Sequence, residues 1–249
     1  MTTHLYCLLP KEVRAAVPPG LSGLAGAAVR ELPIDGLVAW VSDVERGITV
    51  SYDGVRAHDA VVEAALETGS TPVPARFGQR FDDDDACRAA IASKAESVGT
   101  VLADLQGFVE MTLIVTPGTR RMLRDLQPVI PEIFEPETRG PGRKYLDTLR
   151  RREAASGAVQ EAIDELAVEL TEATRACVRR TVVHDTVTPL PLRTISHLIA
   201  RDDIARYKEA VDTVPPGREF RYLLIGPRAP YSFSALSSRG GNHGMKLAD

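Results

Sequence analysis

The sequence is short of the patterns that announce chemistry. Its 249 residues include three cysteines, Cys7, Cys87 and Cys177, spread far apart. An odd count without paired spacing argues against a disulfide framework or a cysteine zinc site, and it fits a reducing compartment. Aromatic residues make up only 5% of the chain, with one tryptophan, Trp40. Basic charge is not in excess: 30 Lys and Arg stand against 34 Asp and Glu, net −4. That balance gives no electrostatic case for nucleic acid or an anionic membrane as the main partner. No apolar run approaches the roughly 20 residues that span a bilayer. Residues 1–6 lack the basic and apolar regions of a signal peptide. A Gly-x-Ser-x-Gly elbow, a phosphate-binding loop and a His-Glu-x-x-His helix are all missing. None of the five histidines, His4, His58, His184, His197 and His243, pairs with another at metal-ligand spacing. No cofactor and no metal are therefore expected.

What is present is ordinary globular composition, 44% hydrophobic and 26% charged, enough chain for one large domain or two small ones. Residues 4–9 read as a first strand. The glycine-rich stretch 21–28 reads as a loop. Asp35-Gly36 between two apolar runs predicts a hairpin. Residues 52–68 carry a helical pattern that stops at Gly69. The two prolines in 70–78 restrict that segment to an edge strand or linker. Asp82 to Asp85 open a long helix running to about 106. Four aspartates invite a metal reading, but acids at a helix start complement the macrodipole and cap free N–H groups. Residues 108–115 are the clearest strand, with Val109, Met111, Leu113 and Val115 on one face and Glu110 and Thr112 on the other. A short helix is expected at 119–126, a proline loop at 128–141, and a second long helix from 142, with a break at Gly157. In both long helices apolar residues step by 4 and 3: Ile91, Ala95, Val98, Leu102 and Leu105, then Val159, Ile163, Leu166, Leu170, Ala173 and Cys177. Two such narrow seams have each other as their simplest partner, an antiparallel coiled-coil-like pair, with an intermolecular coiled coil as the alternative.

A strand at 194–200, a helix at 202–214 and a closing strand at 219–225 complete the chain. In the closing strand both faces read as partly covered, and Gly226-Pro227 is expected to break its ladder. Pro230-Tyr231-Ser232-Phe233 then places two rings on a stiff segment suited to plug a groove. The tail beyond is Ser/Gly-rich and reads as frayed. The fold class is α+β in two domains. Residues 1–80 form a small α+β domain, and residues 81–107 a connecting long helix. Residues 108–234 form a ferredoxin-like split βαβ domain with the long helix inserted, and 235–249 a flexible tail.

Polar candidates are few. Arg76, between Pro74 and Phe77, could hold a carboxylate bidentately, with Glu110 as partner in an architectural salt bridge. His184-Asp185 beside Arg179 and Arg180 reads as a catalytic dyad or, more ordinarily, as a solvated helix end. An enzyme would be transferase-like and use an inter-domain cleft with Arg76, His58 and His184. A generic coiled-coil interaction protein is a further alternative.

Several boxes in order resemble the gas vesicle protein GvpL/GvpF family. They are Leu5-Tyr6 in the first strand, His58 in a helix leading to Val73-Pro74-Ala75-Arg76-Phe77-Gly78, and Glu110 after Gly107-Phe108-Val109. Gly142-Arg143-Lys144-Tyr145-Leu146 opens the long helix, and the closing box is Gly226 to Phe233, with Gly226, Pro227, Tyr231 and Phe233 matching. Departures are Arg228 where the family usually has Trp, Ala229 where Pro is usual, and Met111 where an aromatic is common. The resemblance implies a non-enzymatic accessory or minor structural protein of gas vesicle assembly and buoyancy, cytoplasmic and vesicle-associated. It would bind the small hydrophobic shell protein GvpA and other gas vesicle proteins, without nucleic acid or lipid membrane as partners. A monomer is favoured, because the seams can close within one chain.

Overall fold

The computed structural model describes residues 1–12, 16–46, 51–118, 141–184, 191–217 and 219–234, and in the long helix the side chains from 157 onward. The expected helix at 119–126, the proline loop, the tail from 235 and Asp185 lie outside the described residues. The chain is α+β with two antiparallel sheets. It forms two compact units. Unit 1 takes Met1–Met111, Leu198–Arg201 and the chain from Gly226 onward; unit 2 takes Thr112–His197 and Asp202–Ile225.

Unit 1 is built on β1 (Thr2–Pro10), which lies inside a five-stranded sheet. β2 (Arg30–Ile34) and β3 (Leu37–Val44) form the expected hairpin, with Ile34 opposite Leu37 across Asp35-Gly36. β3 pairs with one side of β1, while β4 (Val73–Pro74) and β5 (Arg80–Phe81) pair with the other. β4 therefore sits at an edge, where proline's missing donor is tolerated. Every residue from Thr3 to Leu9 is buried, so both faces of β1 are covered. Helices α1 (Tyr52–Glu67) and α3 (Ala95–Leu105) pack against it. The core joins Tyr6, Leu9, Trp40, Val61, Val62 and Ala65.

The helix expected across 82–106 is two helices, α2 (Asp84–Ala92) and α3. The chain turns at Ser93 and Lys94, where the Ser93 hydroxyl donates back to the Ala90 carbonyl at 2.8 Å. That local bond competes with the helical ladder. The seam survives the break, since Ile91, Val98, Leu102 and Leu105 are all buried. The four aspartates are taken up by protein partners. Asp83 caps the Ala86 N–H at 2.8 Å, and Asp82 and Asp85 pair with Arg46 and Arg88. Asp84 accepts two bonds from Arg30 at 2.9 and 2.8 Å and one from the Thr3 hydroxyl at 2.8 Å. The Arg30 guanidinium holds the Asp84 carboxyl below the usual carboxylate range.

Arg201 ties the end of β8 (Arg193–Ala200) to the C-terminus of α1. Its guanidinium donates to the carbonyls of Leu66 and Ser70, both at 3.1 Å, and its backbone N–H to the Gly107 carbonyl at 2.9 Å. A cation at a helix C-terminus satisfies orphan carbonyls and opposes the macrodipole. Charge-assisted bonds of this kind are worth about 1.5–3 kcal/mol. Arg201→Ala is expected to destabilise unit 1 by that order, with Arg201→Lys recovering part. The midpoint of urea unfolding measures it, and an unchanged midpoint for Arg201→Ala would show that the cap is unimportant.

In unit 2 the long helix α4 (Pro141–Thr174) runs through Gly157 without the expected break. One glycine inside a helix costs only about 1 kcal/mol, which a long helix packed along one face absorbs. Val159, Ile163, Leu166, Leu170 and Cys177 of the seam are buried, and α4 packs against α5 (Ile204–Asp212). β7 (Val178–His184) is a strand that the sequence reading missed. His184 is therefore the end of a strand and not a helix terminus. Its Nε2 bonds the Ser196 hydroxyl at 2.8 Å. Asp164 accepts two bonds from Arg193 at 2.8 and 2.7 Å. β6 (Phe108–Pro117), β7, β8 and β9 (Phe220–Arg228) form a sheet of order β7-β8-β6-β9. β9 continues through Gly226-Pro227, which are joined by a cis peptide bond. Lying at the sheet edge, it can carry a proline where no ladder donor is needed. Only one of its faces is well covered, since Leu223 is 58% exposed.

Candidate functional site

Most of the sequence boxes with identifying power lie in unit 1, and two of them are tied to one helix, α1. α1 starts at Ser51, whose hydroxyl accepts the Gly54 N–H at 3.1 Å. His58, Val61, Val62, Ala65 and Leu66 give it a buried face, and the next residue along from His58 is Asp59 at its margin.

His58 reaches the box that begins at Val73. Its Nε2 lies 3.1 Å from the Ala75 carbonyl, and its Nδ1 lies 3.0 Å from His4 Nε2. A carbonyl can only accept, so His58 Nε2 carries the proton, and His4 donates to His58 Nδ1. The Ala75 N–H donates to the Tyr6 carbonyl at 2.8 Å. The Phe77 ring packs edge-on against His4 and His58 at centroid distances of 6.1 and 5.8 Å. Gly78 follows in a turn closed by Gln79 N–H to the Arg76 carbonyl at 3.1 Å. Both rings are buried, and burial lowers both pKa values, that of His4 to about 3. Tyr6 fixes the other side: its hydroxyl accepts from Leu24 N–H at 2.8 Å and donates to Ser42 Oγ at 3.1 Å. A Cβ at Gly23 would lie 2.0 Å from the Tyr6 hydroxyl oxygen, so glycine is required where the loop crosses that ring.

Asp59 reaches the closing box. One of its oxygens accepts from Arg228 at 2.6 Å and the other from the Tyr231 hydroxyl at 3.0 Å. Glu63, one turn on, stands 3.7 Å from Arg228 Nε. Glu110 takes hold of the same segment. Its two oxygens accept from the Ser232 N–H at 2.8 Å and the Ser232 hydroxyl at 2.7 Å. Ala229, Pro230, Phe233 and Ser234 are buried, and Tyr231 packs on the core around Tyr6 and Cys7. Burial and the neighbouring Asp59 carboxylate push the Tyr231 phenol well above its ordinary value, so it stays a donor. Gly226 passes so close to β6 that a Cβ there would lie 2.7 Å from the Glu110 carbonyl oxygen, and its φ is +129°.

Two expected site residues thus meet α1, Phe77 at His58 and Tyr231 at Asp59, while Glu110 and Gly226 join the closing segment to β6. Pro227 is exposed at the edge of β9. Arg76 is half-buried, and its guanidinium has no ion pair or hydrogen bond among the described residues. The expected Arg76–Glu110 bridge does not form: the closing segment brings Ser232 to Glu110 instead, and its N–H and hydroxyl donate one bond to each carboxylate oxygen. Arg143 and Tyr145 belong to the first turns of α4, and their side chains lie outside the described residues. His58 offers nothing to a substrate, since both ring nitrogens are engaged and it is 1% exposed. The residues that sequence reasoning missed are Asp59, Glu63 and Ser232. Their only signal is a pair of carboxylates four apart on α1, which is common on any solvated helix.

The profile of the family described as "Gas vesicle synthesis protein GvpL/GvpF" matches residues 2–235. Gas vesicle protein F of a Streptomyces species is 27% identical over 244 residues, covering 94% of this chain and 99% of that one. Gas vesicle protein L1 of Halobacterium salinarum is 24% identical over 251 residues, covering 93% and 89%. The crystal structure of GvpF from Anabaena sp. PCC7120 superposes with a TM-score of 0.71 at 16% identity, covering 95% of this chain and 99% of that one. GvpF from Microcystis aeruginosa gives 0.70 at 18%, covering 94% and 99%. These two show the same fold. The family is one of gas vesicle proteins and not of enzymes. With residues 2–235 inside the family match, the chain belongs to the GvpL/GvpF family.

Proposed function

We propose that this protein is a cytoplasmic accessory or minor structural component of gas vesicle assembly that binds the hydrophobic shell protein GvpA. The observation that carries the reading is the family match across residues 2–235. Two features support it. The residues of the family boxes in unit 1 are spent on holding segments together, through Glu110, Tyr231, Phe77 and Gly226, and not on a reacting centre. Gas vesicle shells are also built from apolar subunits, and such a subunit aggregates before assembly unless another surface covers it. No helix among the described residues is long and apolar enough to cross a membrane.

The finer architecture belongs to the same reading. The succession β6-α4-β7-β8-α5-β9 with strand order β7-β8-β6-β9 supports a ferredoxin-like plan for the C-terminal part. Arg76, with its guanidinium free of partners among the described residues, is the family-box residue best placed to meet a partner. The test is co-expression with the cognate shell subunit and affinity capture on a tag carried by this chain. Retention of the shell subunit, weakened by Arg76→Ala at unchanged melting temperature, is the expected result. No retention at all would overturn the assignment of GvpA as partner.

A further inference from the structure

α4 has 34 residues and is about 50 Å long at 1.5 Å per residue. Its charges are segregated along the chain. Residues 143–152 contain Arg143, Lys144, Arg150, Arg151 and Arg152 against Asp147 alone. Residues 161–172 contain Glu161, Asp164, Glu165, Glu169 and Glu172 and no basic residue. Between the blocks, at the helix midpoint, lies Ala154-Ala155-Ser156-Gly157-Ala158.

The apolar seam of this helix is already used inside unit 2, through Val159, Ile163, Leu166 and Leu170. On the other side of the helix Gly157, Glu161, Glu165, Val168 and Glu172 are exposed, Val168 by 63%. Gly157, Gln160, Glu161, Asp164, Glu165 and Val168 line a shallow open groove there. A Cβ at Gly157 would meet nothing within 4 Å. Among the described residues Glu161, Glu165 and Glu169 have no ion-pair partner, whereas Asp164 has Arg193.

We propose that this face is an interface with a second copy of the same chain, α4 lying antiparallel on α4 about a two-fold axis between Gly157 and Ala158. A basic foreign helix would complement only the acidic half. A second copy complements both halves at once, because an antiparallel alignment brings each basic block along the partner's acidic block. A parallel alignment would set like charges side by side. In the antiparallel register position 150 stands opposite position 165 of the partner, and position 143 opposite 172. The two-fold axis makes each pairing twice. The small residues at the crossing let the two helix backbones approach closely. This assembly departs from the monomer expected from the sequence, since it uses the face that the seam leaves over.

The experiment is sedimentation equilibrium on the full chain at low and high salt. A dimer at low salt that dissociates as salt rises is expected, because exposed ion pairs are screened. Glu165→Arg should weaken dimerisation about tenfold, by placing like charge opposite position 150 at two sites. The double variant Glu165→Arg with Arg150→Glu should restore it, because the exchange keeps opposite charges across the axis. Glu165 is exposed, and circular dichroism confirms that each variant folds. A monomer at every salt concentration, or a dimer insensitive to Glu165→Arg, would overturn the proposal. So would a double variant that fails to recover the association.

Discussion

A chain ending at Ile225 is expected to lose most or all of the cooperative unfolding of unit 1. The segment it lacks buries Phe233 and packs Tyr231 on the core around Tyr6 and Cys7. Burying side chains of this size is worth about 1.5–3 kcal/mol each. Truncation also removes hydrogen-bond donors from two carboxylates. Glu110, 7% exposed, loses the Ser232 N–H and hydroxyl, and Asp59 loses Arg228 and Tyr231. Losing hydrogen bonds to a charged group costs about 1.5–3 kcal/mol. The sum is comparable with the 5–15 kcal/mol of net stability that a folded domain has to lose. Thermal melting followed by circular dichroism reads the result, with a drop on the order of 20 °C or no transition at all expected.

The full-length variant Gly226→Ala tests the same contact without deleting anything. Its Cβ would have to displace the Glu110 carbonyl, a backbone atom, at a φ that side chains rarely adopt. Strain and overpacking of this kind cost about 2–5 kcal/mol together. If both variants melted at the temperature of the parent chain, the closing segment would not be the clasp described here.

That clasp shows how far the sequence could be read. The two rings at Tyr231 and Phe233, between prolines, are legible as a plug because stiffness and apolar area are local properties. Their receptor is not. Asp59 and Glu63 look like ordinary solvent-facing acids on an amphipathic helix, and Tyr231 lies 172 residues from Asp59. Glu110 looked free to pair with Arg76 because sequence offers it a charge and no geometry. The contact was won by Ser232, which supplies two donors from one residue.

The fold divides in the same way. The Asp35-Gly36 hairpin, α1 and β6 are legible because turn chemistry and hydrophobic period agree within a few residues. β7 was missed because Val178-Arg179-Arg180-Thr181 follows directly on the helical seam ending at Cys177, and its exposed arginines show no alternation. The α2–α3 break was missed because Ser93 and Lys94 are neither glycine nor proline. What bends the chain there is a side-chain bond to the backbone and the packing of both helices on one sheet.

Acid should weaken this protein well before its carboxylates are protonated, and His4 is the reason. It is fully buried and donates to His58 Nδ1, with its own Nδ1 facing no partner. Burial first, then the nearby His58 and Arg80, lower its pKa from 6.5 to about 3. His58 is lowered too, chiefly by burial, although the Ala75 carbonyl and Asp59 pull the other way. In unit 2 burial lowers His197 to about 4. The folded values lie below the unfolded ones, so the unfolded chain binds protons first as pH falls. The stabilisation is complete above about pH 6.5 and is lost as pH drops toward 3. For His4 alone the loss between pH 7.5 and 4.5 is about 3 kcal/mol by linkage. Protonating the pair is also geometrically costly, because two N–H donors would then face each other across 3.0 Å. His4→Gln removes that titration and can keep a donor toward His58. Its melting temperature should be lower than the parent's at pH 7.5 but should fall less steeply with acid. Parallel pH profiles for the two chains would show that the histidine pair does not govern acid stability. A flatter profile for His4→Gln, beside an unchanged one for a variant at an exposed residue such as Glu67, would locate the effect in the buried pair.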